Sequence, residues 1–325
     1  MRTLVLAAVF ALALTPALVQ GHLPHDRPHI ELQEFQRNAR VNLDGLQARY
    51  DLQLAADPFQ DLVRYDIDPH AAGAIRSEFR RQPSEAPTAF VTTWSLGRFI
   101  EFRDLNANGI YEPTVDTVIH AWPFASYAWA VEGPTAVNYT SPSSSGAAVP
   151  SQDIIWQGTI TGGPTLHLET DSAGDLFTDE GARVLPQDMI LYLDVGNIPP
   201  RGLGDLFAFD GTVNVSNQGS VAFDRIDANT TAGLVARIPD RLAAFDWGAQ
   251  ASLDRVEQTI KVTIGDPAPD GSRAMRLHFP LFDHSLHMVI VVAVEYVNPA
   301  KRGTDAVGPG LLLATVALLA LSRRR

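Results

Sequence analysis

Between residues 104 and 116 the chain reads Asp104-Leu105-Asn106-Ala107-Asn108-Gly109-Ile110-Tyr111-Glu112-Pro113-Thr114-Val115-Asp116, with oxygen-bearing side chains at the first, third and fifth positions and glycine at the sixth. In a tightly curled loop, alternate side chains turn their oxygens toward one interior point. Glycine permits the sharp reversal, and the carbonyl that follows, here that of Ile110, completes the bend. An all-oxygen donor set suits a hard cation such as Ca2+, bound in a structural role. The candidate ligands are Asp104, Asn106, Asn108, Ile110, Glu112 and Asp116. The same residue types also form Asx turns, in which Asp and Asn side chains hold their own backbone without an ion. Both readings stay open at this level.

Other clusters could do chemistry on paper and are weighed against plainer roles. His22, His25 and His29 lie near one another, and cleavage after Gly21 would leave His22 with a free amine able to chelate copper, as in histidine-brace proteins. Asp283, His284, Ser285 and His287, with His278 upstream, bring together a carboxylate, a base and a hydroxyl. Neighbours on a strand point to opposite faces, so hydrogen-bonded structural histidines are expected there, not a catalytic triad. Trp94, Trp122, Trp129, Trp156 and Trp247 could form a stacking platform for sugars, but aromatics on strands usually pack in the core. Asp171, Asp175, Asp179 and Glu180 lack the alternation of the first loop and read as a solvated turn. No Gly-x-Ser-x-Gly, phosphate-binding glycine loop or His-Glu-x-x-His occurs, and the chain has no cysteine. Thiolate chemistry, thiolate metal sites and disulfides are thereby excluded.

The elements that must position these residues are strands. Leu46, Ala48, Tyr50, Leu52 and Leu54 alternate with polar neighbours, and Asp44-Gly45 before them is a hairpin signal. Further strands are expected at 90–103, 117–122, 126–132, 154–160, 165–169, 189–194, 206–213, 233–238, 258–264, 274–281 and 285–297. Met288 to Val294 reads as buried on both faces. Proline and glycine punctuate the gaps, as in Gly162-Gly163-Pro164 and Asp270-Gly271, which predicts an all-β antiparallel sandwich, one large or two stacked. Helix is expected to be scarce, with a short amphipathic turn at 31–40. The Ser- and Pro-rich stretch 140–152 reads as an insertion, and a weaker break falls at 197–204.

The two ends differ from the middle. Met1 and Arg2 precede an apolar run from Leu4 to Val19, which predicts a signal peptide over 1–21. At the other end Gly308-Pro309-Gly310 leads into the apolar run Leu311 to Leu321 and then Arg323, Arg324 and Arg325. About fifteen residues of helix span only ~22 Å, short of the ~30 Å hydrocarbon core, so this hydrophobic helix is a marginal permanent anchor. Its arginines predict a cytoplasmic end and an ectodomain outside, over 22–300 with the tail at 301–325. Setting aside Arg2, Arg323, Arg324 and Arg325 leaves 21 of the 25 basic residues against 37 acidic ones, a mature charge near −16. Nucleic acid is therefore not an expected partner. Asn138, Asn214 and Asn229 lie in glycosylation sequons, as expected of an exported glycoprotein.

The tail resembles the C-terminal sorting signals of the PGF type, read by archaeosortases, and more loosely the PEP type. Pro309 and Gly310 match the first two motif positions, with Leu311 where the archaeal signal has Phe. This resemblance implies a processing enzyme as partner, removal of the tail and transfer to a lipid. Residues 104–116 resemble the calcium loops of EF-hand and dockerin proteins, with Val115 at the twelfth position and the closing carboxylate, Asp116, one residue later. The combined expectation is an exported, surface-anchored, non-catalytic β-sandwich stiffened by calcium and serving adhesion, envelope structure or the binding of a surface polysaccharide or protein. The rival is a carbohydrate-binding or carbohydrate-active secreted protein, including a copper enzyme.

Overall fold

The computed structural model describes residues 36–56, 59–82, 90–133, 136–142, 153–171, 189–216, 222–225, 233–238, 241–246 and 251–296. The expected signal peptide, His22, His25, His29, Asp175, Asp179, Glu180, Asn229, Trp247 and the C-terminal tail lie outside these residues.

In chain order the strands begin with β1 (Gln36–Asp44), β2 (Gln47–Ala56), β3 (Phe59–Asp68), β4 (Ala74–Gln82), β5 (Phe90–Arg103), β6 (Thr117–Pro123) and β7 (Ala128–Glu132). Next come β8 (Ala136–Pro142), β9 (Ile154–Thr159), β10 (Thr165–Asp171), β11 (Met189–Gly196), β12 (Asp205–Ser216), β13 (Ala222–Arg225) and β14 (Gly233–Ile238). The last are β15 (Arg241–Asp246), β16 (Ala251–Leu253), β17 (Val256–Gln258), β18 (Lys261–Pro267), β19 (Arg273–His278) and β20 (Leu286–Tyr296). They form two sheets of ten strands each, antiparallel throughout. The first runs β18-β19-β12-β5-β4-β3-β2-β1-β8 with β6 also on β5; the second runs β13-β14-β15-β20-β11-β10-β9-β7, with β16 also on β20 and β17 paired to β16. Among the described residues the only helical piece is a 3-10 turn at Phe124–Ser126. No helix among them is long and apolar enough to cross a membrane.

Period-two sequence becomes a one-sided core. Val41, Tyr50, Tyr65, Trp94, Phe99, Phe207 and Phe209 of the first sheet meet Ile154, Trp156, Leu168, Leu191, Leu193, Met288 and Ile290 of the second in a single buried cluster. Burial of each such side chain contributes about 1.5–3 kcal/mol, and a cysteine-free fold must rest on that sum. Two hydrogen bonds, one buried and one partly buried, also tie the sheets together. Tyr50 Oη and Thr170 Oγ1 lie 2.5 Å apart, and the Trp156 indole donates to the Leu46 carbonyl at 2.8 Å. Ile290, Val291 and Val292 are all buried, so this part of β20 is covered on both faces, as its continuous apolar sequence predicts.

Strand β5 is the backbone of the first sheet. Its residues 90–95 pair with β4 and residues 98–103 with β6. The change of partner falls at Gly97, whose φ is +64°. A Cβ there would run into the carbonyl oxygen of Asp210, and one at Gly211 into that of Ser95. The β5–β12 register shifts at this point, between Asp210 and Thr212. Two glycines thus allow the backbones to close up around a bulge.

Three expectations need correction. Residues 36–40 belong to β1 and not to a helix, because Gln36 to Asp44 pair residue for residue with Gln47 to Ala55 and also with β8. Cross-strand hydrogen bonding on both sides outweighs a weak helical pattern. The first hairpin turns at Gly45-Leu46, one residue later than the Asp44-Gly45 signal, since Asp44 pairs with Gln47 and Gly45 takes the left-handed conformation. The stretch expected as a strand from Ser126 begins at Ala128.

Candidate metal centre

Loop 104–116 joins β5 to β6 and stands on a rigid base. Arg103, the last residue of β5, makes two hydrogen bonds to the buried carboxylate of Asp205, at 2.8 and 3.0 Å. Buried Glu101 accepts from the Gly202 amide at 2.9 Å and pairs with His120 at 2.7 Å. Inside the loop, Tyr111 anchors the chain by packing with Ile100, Phe102 and Ala208 on the outer side of the first sheet. Its amide donates to His278 Nδ1 at 3.0 Å, and Nε2 of that imidazole faces Thr263 Oγ1 at 2.9 Å. Nδ1 acts as acceptor, so the proton sits on Nε2 and the ring is neutral. Burial, followed by the charges of Arg276 and Lys261, pushes the His278 pKa down to about 4.

The candidate ligands organise the loop around themselves. Asp104 accepts the amides of Asn108 at 3.3 Å and Gly109 at 2.6 Å, which folds positions five and six back over position one. Asn106 Oδ1 accepts from the Asn108 amide at 3.3 Å, and Asn108 Oδ1 from the Ile110 amide at 2.7 Å. Both asparagine amide nitrogens donate to one oxygen of Glu112, at 2.6 and 2.9 Å. Asp116 closes the loop by accepting from Leu105 at 3.0 Å and Glu112 at 2.7 Å, one with each oxygen. The final carboxylate therefore does reach back across a loop one residue longer than the twelve-residue pattern. Asp116 is also buried, beneath a turn in which the amides of Val115 and Asp116 both donate to the Glu112 carbonyl.

The left-handed conformation of Gly109, φ +71°, is the one its position predicts, and Ala107 shares it at φ +57° despite its Cβ. Lys261, on the edge strand β18, donates its ammonium to the Asn108 carbonyl at 2.9 Å.

Five side chains expected from the sequence, Asp104, Asn106, Asn108, Glu112 and Asp116, are thus joined in one hydrogen-bonded loop. Ile110 contributes its amide to the Asn108 side chain. The residue types suit a hard cation, since each of the five side chains carries oxygen and the carboxylates keep lone pairs beyond those given to the backbone. The loop is also self-satisfied through its Asx turns. Among the described residues no three His, Asp or Glu side chains already converge on a metal-sized space.

Other expected sites fare differently. Trp94, Trp122 and Trp156 are buried, and Trp129 is half-buried with its indole donating to the Phe124 carbonyl at 3.0 Å. These four therefore do not form an exposed platform. His284 offers its backbone amide, along with those of Asp283 and Ser285, to the Asp254 carboxylate, at 2.7 to 2.8 Å. His278 anchors loop 104–116 through the Tyr111 amide, while His287 pairs with Asp194 at 2.6 Å on the second sheet. The Asp283 carboxylate pairs with Arg201 at 2.8 Å, and His278 lies on the other sheet from His287. Of Asp171, only the place of its backbone at the end of β10 is described. Sequence reasoning missed Tyr111, Lys261 and Thr263 as supports of the loop, because Lys261 and Thr263 come from a strand some 150 residues away.

No family model matches the chain, and no curated protein matches it.

Proposed function

We propose that this chain is an exported, surface-held, non-catalytic β-sandwich in which loop 104–116 takes a Ca2+ ion as a structural staple. Its role is adhesion, envelope structure or ligand capture. The hydrophobic terminal segments and the sorting-signal resemblance support export and retention. The observation that carries the reading is where the loop lies relative to the chain's exit. Arg103 pairs with Asp205 and Val195 with Leu286, so loops 104–116, 197–204 and 279–285 gather at one end of the sandwich. Strand β20 leaves that end at Leu286 and reaches the other at Tyr296, about 35 Å away for eleven residues of strand. A protein held by its C-terminus would present the loop end outward. A surface protein without disulfides gains from fixing such a loop by a metal, which stabilises the folded state by about 2.7 kcal/mol at a hundredfold excess over the dissociation constant.

Thermal melts of the full chain in Ca2+ and in chelator test this. The wild type is expected to melt higher with Ca2+, and Asp104→Ala to lose the difference. Coincident wild-type curves under the two conditions would sink the ion staple.

A further inference from the structure

We propose a second metal site of a different chemical class, for a borderline divalent ion such as Zn2+, on the outer face of the second sheet at His167, Asp194 and His287. These residues are far apart in sequence but lie in one cross-strand row. His167 on β10 is directly opposite Asp194 on β11, and Asp194 is directly opposite His287 on β20. Leu166, Leu168, Leu193, Val195, Leu286 and Met288, which flank them along the strands, are all buried, so the three polar side chains project from the opposite face. They line one cavity of about 280 Å³, together with Ser252, Arg255 and Ser285.

Each imidazole already has a carboxylate partner. His287 Nδ1 lies 2.6 Å from Asp194 Oδ1, and His167 Nε2 lies 3.4 Å from Glu169 Oε2, on the same face of β10. The second contact is long, so the His167 ring gives it up at little cost when it swings toward Asp194. The two histidines stand two strand spacings apart, roughly 10 Å between backbones; the three groups do not yet converge on one point, and the His167 ring must turn toward the central Asp194 for both rings to share an ion there. Two imidazole nitrogens and one carboxylate oxygen are the donors that Zn2+, Cu2+ and Ni2+ select, whereas Ca2+ prefers oxygen alone. The ion would replace any proton held between imidazole and carboxylate and release it to solvent.

The mount is stiff. β11 and β20 are central strands over a buried floor, and the rim is latched by Asp254, which accepts the amides of Asp283, His284 and Ser285. That latch holds Asp254 and Arg255 in the left-handed region, at φ +52° and +67°, in the two-residue turn between β16 and β17. Arg255 is exposed at the rim, placed to pair with an anion that completes the ion's shell.

Calorimetric titration of the chelator-stripped full chain with ZnCl2 tests the site, with Co2+ absorption as a second readout. Saturable binding is expected, weakened by about tenfold or more in His167→Ala and in His287→Ala, since even partners outside the coordination shell are worth that much. His287→Gln, which keeps much of the side chain's bulk, should bind as weakly as His287→Ala and guards against a folding defect. Asp104→Ala should leave Zn2+ affinity unchanged, which separates this site from the calcium loop. No saturable binding, unchanged affinity in both histidine variants, or loss confined to a His22, His25 and His29 triple alanine variant would each overturn the proposal.

Discussion

The two sheets share one core but carry different chemistry on their outer faces. On the first, β2, β3 and β4 bear a checkerboard of permanent charges. Arg49 and Arg76 both reach Asp66, at 2.6 and 3.2 Å; Arg64 meets Asp51 at 2.6 Å, and Arg76 meets Glu78 at 2.8 Å. Farther along the sheet, Arg98 and Arg276 share Asp210, each at 2.7 Å. Guanidinium stays charged at any relevant pH, so these carboxylates are committed to their partners. On the second face the partners of Asp194 and Glu169 are histidines, whose nitrogens can exchange a proton for a metal. Equal cross-strand geometry thus yields a fixed lattice on one face and an exchangeable site on the other.

That contrast can be broken at several points. The framework behind the first face is most exposed at the β5–β12 bulge. Gly211→Val would drive a side chain into the Ser95 carbonyl and is expected to cost more than about 4 kcal/mol. An unchanged urea midpoint would show that the two backbones need not close up there.

Acid provides the next largest effect, and it acts through a histidine on the first sheet. His278 falls from 6.5 to about 4 on folding, so between those values the unfolded chain binds more protons and stability rises with pH. Its contribution, about 3 kcal/mol, is complete above pH 6.5 and is lost as the pH falls toward 4. Melts of wild type and His278→Gln across that window should converge at the acid end; parallel curves would exclude His278 as the acid-sensitive anchor of the loop.

Within the checkerboard, Asp66→Ala leaves two arginines without their shared carboxylate. Both guanidiniums are more than a third exposed, so solvent softens the loss to about 1–2 kcal/mol. A denaturation midpoint within error of wild type would reduce the lattice to surface decoration. The smallest effect belongs to the other face: without metal, His287→Ala should change stability by less than about 1 kcal/mol, because the pair with Asp194 is partly solvated. A larger loss in chelator would make His287 a framework residue like those of the first sheet.

How far the sequence reached depends on the range of the interactions involved. The curl of loop 104–116 was legible because Asp104, Asn106, Asn108, Glu112 and Asp116 follow one another within thirteen residues, and local alternation with Gly109 at the reversal specifies its hydrogen-bonded turns. Strands such as Phe90–Arg103 and Gly233–Ile238 were readable to the residue from their pattern and flanking turns. Strands β3 and β4 were missed although Val63, Tyr65 and Ile67 alternate as clearly, because the interleaved Arg and Asp of the checkerboard obscured the apolar face.

Tertiary structure alone decided which distant residues meet. His167, Asp194 and His287 lack any shared local pattern and span 120 residues; only the register of β10, β11 and β20 sets them side by side. That register follows from burying Leu168, Leu193 and Met288 on the opposite face, where a one-residue slip of any strand would turn its apolar side chains to water and its polar ones into the core. The anchoring of Tyr111 by His278 has the same origin, since a buried imidazole finds its partners through packing and not through neighbours in the chain.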